Sequence, residues 1–190
     1  MIFISSKASD GNMMTLENRR KFLKKMRIKN AVEVKQIHGN NIVLVPQTLD
    51  PNTQSDGLIT NNPALYLMIK VADCMALGLF DPKQKAIGLA HVGWRGSESG
   101  IVKNIVNQMK INFHTNPKDL IVTVSPSIGP CHYKMDLWKE AENQLIDCGI
   151  LKENIDNPKI CTYESKNYFS HRRSEDVNEP EGRFVTILGI

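Results

Sequence analysis

The chain has 190 residues, long enough to bury a core as one domain, and its 41% hydrophobic and 23% charged composition excludes a disordered or fibrous protein. The net charge of +4 is uneven, because residues 1–30 hold eight of the 24 Lys/Arg but two of the 20 Asp/Glu. No apolar stretch reaches the length of a membrane span and the start lacks a signal-peptide pattern. Four cysteines without a C-x-x-C pair therefore read as cytoplasmic thiols, not as a disulfide framework or a cysteine-only zinc knuckle.

Residues 2–5 read as a short strand, and Thr15 as the N-cap of a helix running to Met26. With Phe22, Leu23 and Met26 inward, the basic stretch "ENRRKFLKKMRIKN" forms an amphipathic surface helix. The alternative is a nucleic-acid or protein-binding module, for which one aromatic among the basic residues is a poor match. Next, "AVEVKQI" alternates and "IVLV" is apolar, which predicts two strands joined by a turn carrying His38, followed by a polar loop over residues 46–55. "LYLMIKVADC" and "KAIGLAH" are the strongest strands. Ser97 or Ser99 is expected to cap a helix with Ile101, Val102, Ile105, Val106 and Met109 on one face. "LIVTV" predicts a strand entering a Pro/Gly turn, Asp136 caps a helix over "LWKEAENQLID", and "RFVTILGI" is a last strand. Strands and helices mix without strict alternation, so the expected architecture is a layered α/β (α+β) sandwich with a mixed β-sheet, in a single domain over residues 1–190.

The apolar run after Cys74 and the run before His91 form a hairpin on paper. A four-residue loop at residues 81–84, with Pro82 in second place, pairs Phe80 with Lys85 and sets Cys74 opposite His91. Directly opposed residues have Cβ atoms about 4.5–5.5 Å apart. A thiolate and an imidazole so placed either share a zinc ion or form a nucleophile and base; equally, both are ordinary core residues. His38 is a third candidate ligand, and two His with one Cys leave tetrahedral zinc one open position, as catalytic sites do. The turn "GWRGSES" offers Arg95, Gly96 and Ser97 as an anion pocket for phosphate or carboxylate, and Arg172 with Arg173 is a second clamp. The competing reading packs Trp94 in the core and pairs Arg95 with a surface acid. Asp73 and His132 are candidates for moving protons, and Asp73 serves equally well as a carboxylate behind a ligand or against a ribose.

In order along the chain, "QIHG", "DGLIT", "VADC", "AHVGWRG", "SIGPCHY", "SHRR" and "EGRFVTILG" resemble the YfiH-like proteins, also called multicopper polyphenol oxidoreductases or laccase-domain proteins. The resemblance covers roughly residues 31–190. It implies a zinc site on His38, Cys74 and His91 and a fold shared with toxin-type cysteine deamidases, in which a Cys and a His are the catalytic pair. It further implies purine nucleoside phosphorylase activity, with nucleoside and phosphate as small-molecule partners, adenosine deaminase activity, or a Cys74/His91 amidohydrolase that edits a cell-wall precursor. Copper is the other metal the family name suggests. A multicopper oxidase draws on about ten histidines, however, and this chain has five. Family members usually begin with a longer segment containing an Arg-x-Gly-Gly-Val-Ser motif, for which Lys7, Asp10 and Asn12 are the candidates to stand in.

Overall fold

The computed structural model describes residues 1–50 and 52–190. Among these, ten strands build two stacked sheets. The first runs β1 (Ile2–Ser5), β10 (Phe184–Gly189), β5 (Tyr66–Val71), β2 (Ala31–Val32), and the second runs β3 (Ile42–Leu44), β4 (Gly57–Thr60), β7 (Ala86–Val92), β6 (Met75–Asp81), β8 (Ile121–Val124), β9 (Ile155–Asp156). Both are mixed: β2–β5, β3–β4 and β8–β9 pair in parallel and the remaining neighbours antiparallel. Helix α1 (Leu16–Lys25) covers the outer face of the first sheet, and α3 (Ile101–Phe113) and α4 (Leu137–Asp147) pack on the outer side of the second. The short helices α2 (Trp94–Glu98) and α5 (His171–Val177) flank the candidate site described below. The layers therefore run helix, sheet, sheet, helices, which is the sandwich with mixed sheets that the sequence predicts.

The period of two in the strands builds this stack. Leu67, Ile69 and Val71 of β5 meet Ala76, Ile87 and Leu89 of β6 and β7 between the sheets, whereas Met68 points the other way, to Phe22 under α1. Burial of each such aliphatic side chain is worth about 1.5–3 kcal/mol. Thr15 caps α1 by accepting from the Asn18 N–H at 3.3 Å, and Asp136 caps α4 by accepting from the Lys139 N–H at 3.0 Å. Both caps are as predicted.

Three local expectations fail, each for a physical reason. The two strands flanking His38 are cut to Ala31–Val32 and Ile42–Leu44 and joined by more than a turn, because β2 pairs with β5 in one sheet and β3 with β4 in the other, so residues 33–41 pass between sheets. The hairpin loop is residues 82–85, with Asp81 opposite Ala86 and Ala76 opposite His91. The Asp81 carboxylate accepts from the Lys83 and Gln84 amides at 2.9 and 3.0 Å, and this Asx turn draws the loop boundary one residue along. Finally, α3 is capped by neither Ser97 nor Ser99: Gly100, in the left-handed region at φ 81°, ends α2 and begins α3.

Candidate metal centre and its cavity

Residues 72–74 carry the chain out of β5 and into β6, from one sheet to the other. Asp73 takes φ 79°, a left-handed conformation a non-glycine residue seldom adopts, and three contacts hold it there. Its Oδ1 accepts from the Thr162 hydroxyl at 2.7 Å, its Oδ2 from the Arg172 N–H at 2.6 Å, and its carbonyl from the Ile128 N–H at 2.8 Å. Both carboxylate oxygens are thus engaged in fastening the turn that precedes Cys74.

His38 also has a positive φ, 59°. Asp56, fully buried just before β4, explains it: Oδ1 accepts from the His38 N–H at 2.9 Å, and Oδ2 from the Gly39 and Ile37 N–H groups at 2.7 and 3.2 Å. Three consecutive amides thereby wrap one carboxylate, a nest filled from within the chain. The same Oδ1 accepts from His91 Nδ1 at 2.8 Å, so Nε2 is the ring nitrogen left to meet Cys74 or, once it has given up its proton, a metal ion. Burial works against ionisation of Asp56, but the hydrogen bond from His91 and the amides of Gly39 and Ile37 outweigh it and hold the carboxyl below its ordinary value.

His38, Cys74 and His91 converge, with one donor atom from each lying within 4.8 Å of the others. Cys74 precedes the first β6 pair, so it does not face His91 across the ladder. It lies two residues before Ala76, the partner of His91, and the alternation still delivers both side chains to the same face. Gly93 makes room: a Cβ there would stand 2.9 Å from the Cys74 sulfur. Burial opposes ionisation of Cys74, yet hydrogen bonds from His38 and His91 bring the thiol down to about 6. Burial likewise lowers His91, and the bonds to Asp56 and Cys74 more than reverse it, raising the imidazole to about 9. Two imidazoles and a readily ionised thiol suit a borderline-soft divalent ion such as zinc.

His38 and Cys74 form one wall of a cavity of about 360 Å³, within the range of small-ligand sites. Arg95, Arg172, Trp94 and Tyr133 line it as well. Arg95 lies over the Trp94 ring at 4.8 Å from the centroid. Burial and the nearby Cys74 push the Tyr133 phenol up, so it faces the cavity as a neutral donor.

Other expected site residues lie elsewhere. Gly96 and Ser97 are buried beneath the His38 loop: a Cβ at Gly96 would come 3.0 Å from the Gly39 carbonyl, and Ser97 accepts from Gln144. His132 stacks on Tyr163 at 3.8 Å, away from the cavity lining. Arg173 is a strut, donating to Glu179 at 2.7 Å and to the carbonyls of Thr162, Tyr163 and Tyr168 at 2.6–2.9 Å. Asp10 pairs with Lys25 and Asn12 ties Met14 to Arg183; with Lys7 they lie outside the cavity wall. Asp56, Thr162, Tyr133 and His171 were missed as site residues. Asp56 had one signal, its place in "SDGLIT" ahead of a buried strand.

Known proteins share this arrangement of sheets. The chain superimposes on a YfiH protein of Bacillus licheniformis with a TM-score of 0.84 and 26% identity, over 92% of this chain and 80% of that one. For YlmD of Geobacillus stearothermophilus the values are 0.83 and 27%, over 90% and 78%. The sequence is 28% identical over 166 residues to purine nucleoside phosphorylase YlmD of Bacillus subtilis, covering 72% of this chain and 59% of the relative. No helix among the described residues is long and apolar enough to cross a membrane. With residues 4–136 and 132–190 both matched to it, the chain belongs to the family described as multi-copper polyphenol oxidoreductase laccase.

Proposed function

We propose that the protein is a zinc-dependent purine nucleoside phosphorylase that converts adenosine, inosine or methylthioadenosine and phosphate to free base and ribose 1-phosphate, with adenosine deamination as a second activity. The observation that carries this reading is the convergence of His38, Cys74 and the buried His91, the first two of which line a cavity that also presents Arg95 and Arg172. The activity in the name of the YlmD relative supports it. Zinc, when bound, supplies a Lewis acid that polarises an oxygen or eases loss of a proton from water. Asp56 fixes the His91 tautomer, and Asp73 fixes the turn that aims Cys74. Arg172 and Arg95 hold the phosphate dianion while one of its oxygens bonds to ribose C1′. As the C1′–N9 bond breaks, its electron pair leaves with the purine, which Trp94 and Tyr133 offer flat surfaces to stack against. The four free cysteines support a reducing, cytoplasmic setting.

Untagged protein incubated with inosine or adenosine should release ribose 1-phosphate only when phosphate is present; base release that ignores phosphate refutes phosphorolysis. Inosine formed from adenosine without phosphate would establish the deaminase. A second reading is favoured by one observation: Cys74, His91 and Asp56 stand in the order nucleophile, base, orienting carboxylate, as a metal-free amidohydrolase requires. Stoichiometric zinc in carefully purified protein, with Cys74 shielded from alkylation until a chelator is added, decides against that reading.

A further inference from the structure

A second group of soft donors lies outside the cavity lining. Cys131 and His132 follow the Pro/Gly turn after β8, and Cys161 follows β9; one donor atom from each lies within 4.8 Å of the others. The Cys131 and Cys161 sulfurs are 3.5 Å apart. That is far longer than the roughly 2.05 Å of a disulfide. It is close to the roughly 3.8 Å that two sulfurs span on a tetrahedral ion with bonds of about 2.3 Å.

The two segments are already fastened together without an ion. Ser127 N–H donates to the Ile160 carbonyl and Thr162 N–H to the Ser127 carbonyl, both at 3.1 Å, so the backbone fixes Cys161 beside the turn. Gly129 N–H donates to the Cys161 sulfur at 3.3 Å, and its missing side chain keeps the space beside the Cys131 sulfur and Trp138 clear. The His132 ring is clamped against Tyr163, its planes 13° from parallel, and its Nδ1 is buried without a hydrogen bond. Glu164 approaches that nitrogen to 3.2 Å from the solvent side.

We propose that Cys131, His132 and Cys161 form a second, structural site for a zinc-type divalent cation, with the fourth position open to Glu164 or water. Its place in the fold gives it a task. The turn it would clamp supplies Ile128 and Tyr133 to the cavity, and the segment on its other side supplies Thr162 to Asp73. An ion here fastens the cavity wall to the support of Asp73 without touching substrate. The proposal stands independently of the reaction assigned to the cavity.

The test is metal stoichiometry on reduced, untagged, full-length protein, using zinc and then cobalt(II) as a spectroscopic stand-in. Wild type should bind two equivalents. Cys131→Ala, whose side chain is exposed, and His132→Ala should each lose one equivalent and keep an unchanged circular dichroism spectrum. Cys74→Ala should lose the other equivalent, and its remaining cobalt should show about twice the thiolate charge-transfer intensity per ion, from two sulfurs in place of one. Whether wild type binds one ion or two, a count that stays unchanged in both Cys131→Ala and His132→Ala overturns the proposal. A Cys131–Cys161 disulfide whose reduction yields no zinc uptake overturns it too.

Discussion

Replacing Asp56 by Asn tests how far the centre depends on a residue that touches no metal. The carboxylate accepts four hydrogen bonds, two on each oxygen, whereas the amide keeps one acceptor oxygen and turns an NH2 toward the other two donors. If the NH2 faces Gly39 and Ile37, two amides lose their partner. If it faces His38 and His91, one amide loses its partner and His91 must move its proton to Nε2, the nitrogen a metal needs. A buried group left unpaired costs about 1–3 kcal/mol. Because residues 37–39 are partly exposed, the expected loss is about 2–4 kcal/mol, within the roughly 5–15 kcal/mol of a typical domain. Zinc affinity should fall about 10–100-fold, as for other carboxylates behind a histidine ligand. Urea unfolding in chelator reads the first quantity and competition with a chelating dye the second. The stability difference should also shrink on acidification: the Asp56 pKa is lowered, so its contribution is present above the ordinary carboxylate range and lost as pH falls below it. A variant within about 0.5 kcal/mol of wild type with unchanged zinc affinity would refute the assignment.

Three further expectations follow from the same geometry. Gly93→Ala, at an ordinary φ of −93°, adds only a methyl that meets the Cys74 sulfur; it should cost about 1–3 kcal/mol by overpacking and abolish binding at the His38/Cys74/His91 site, as chelator competition and thermal melting will show. Thr162→Val keeps the shape but removes the donor to Asp73 Oδ1, so stability should drop by about 1–3 kcal/mol and turnover should fall more than substrate affinity, read from the split between kcat and KM. In metal-free protein the rate of Cys74 alkylation should rise through a midpoint near pH 6 and fall away below it, since the thiolate is lost as pH drops through that value. A midpoint in the ordinary thiol range would disprove the account of Cys74 electrostatics.

What the sequence discloses here is decided by the range of each interaction. Alternation and the turn residues around Pro82 placed Cys74 and His91 on one face, although the loop boundary was one residue off; the error left the parity intact, so the pairing of functions survived it. Thr15 and Asp136 were legible because a cap acts within three residues. Asp56 was not, because its partners are backbone amides 17 to 19 positions away and a ring 35 positions away, and amides carry no letter in a sequence. The switch between sheets at residues 72–74 was equally hidden: in "LYLMIKVADCMALGLF" Asp73 marks a break between two strands, but no letter says that the second strand joins a different sheet. His132 looked like a cavity residue by its motif, but its ring stacks on Tyr163 and does not line the cavity.

The passage of the chain from one sheet to the other implies a mechanical role for whatever ion the first site holds. His38 lies on one crossing segment, Cys74 on the other, and His91 on a strand of the second sheet, so a bound cation is a rivet through the seam. Sliding of one β layer over its neighbour would pull the donors apart, and chelation should loosen the seam before it loosens either layer. Hydrogen exchange along β5 and β10 is therefore a gauge of occupancy at a centre that neither strand touches.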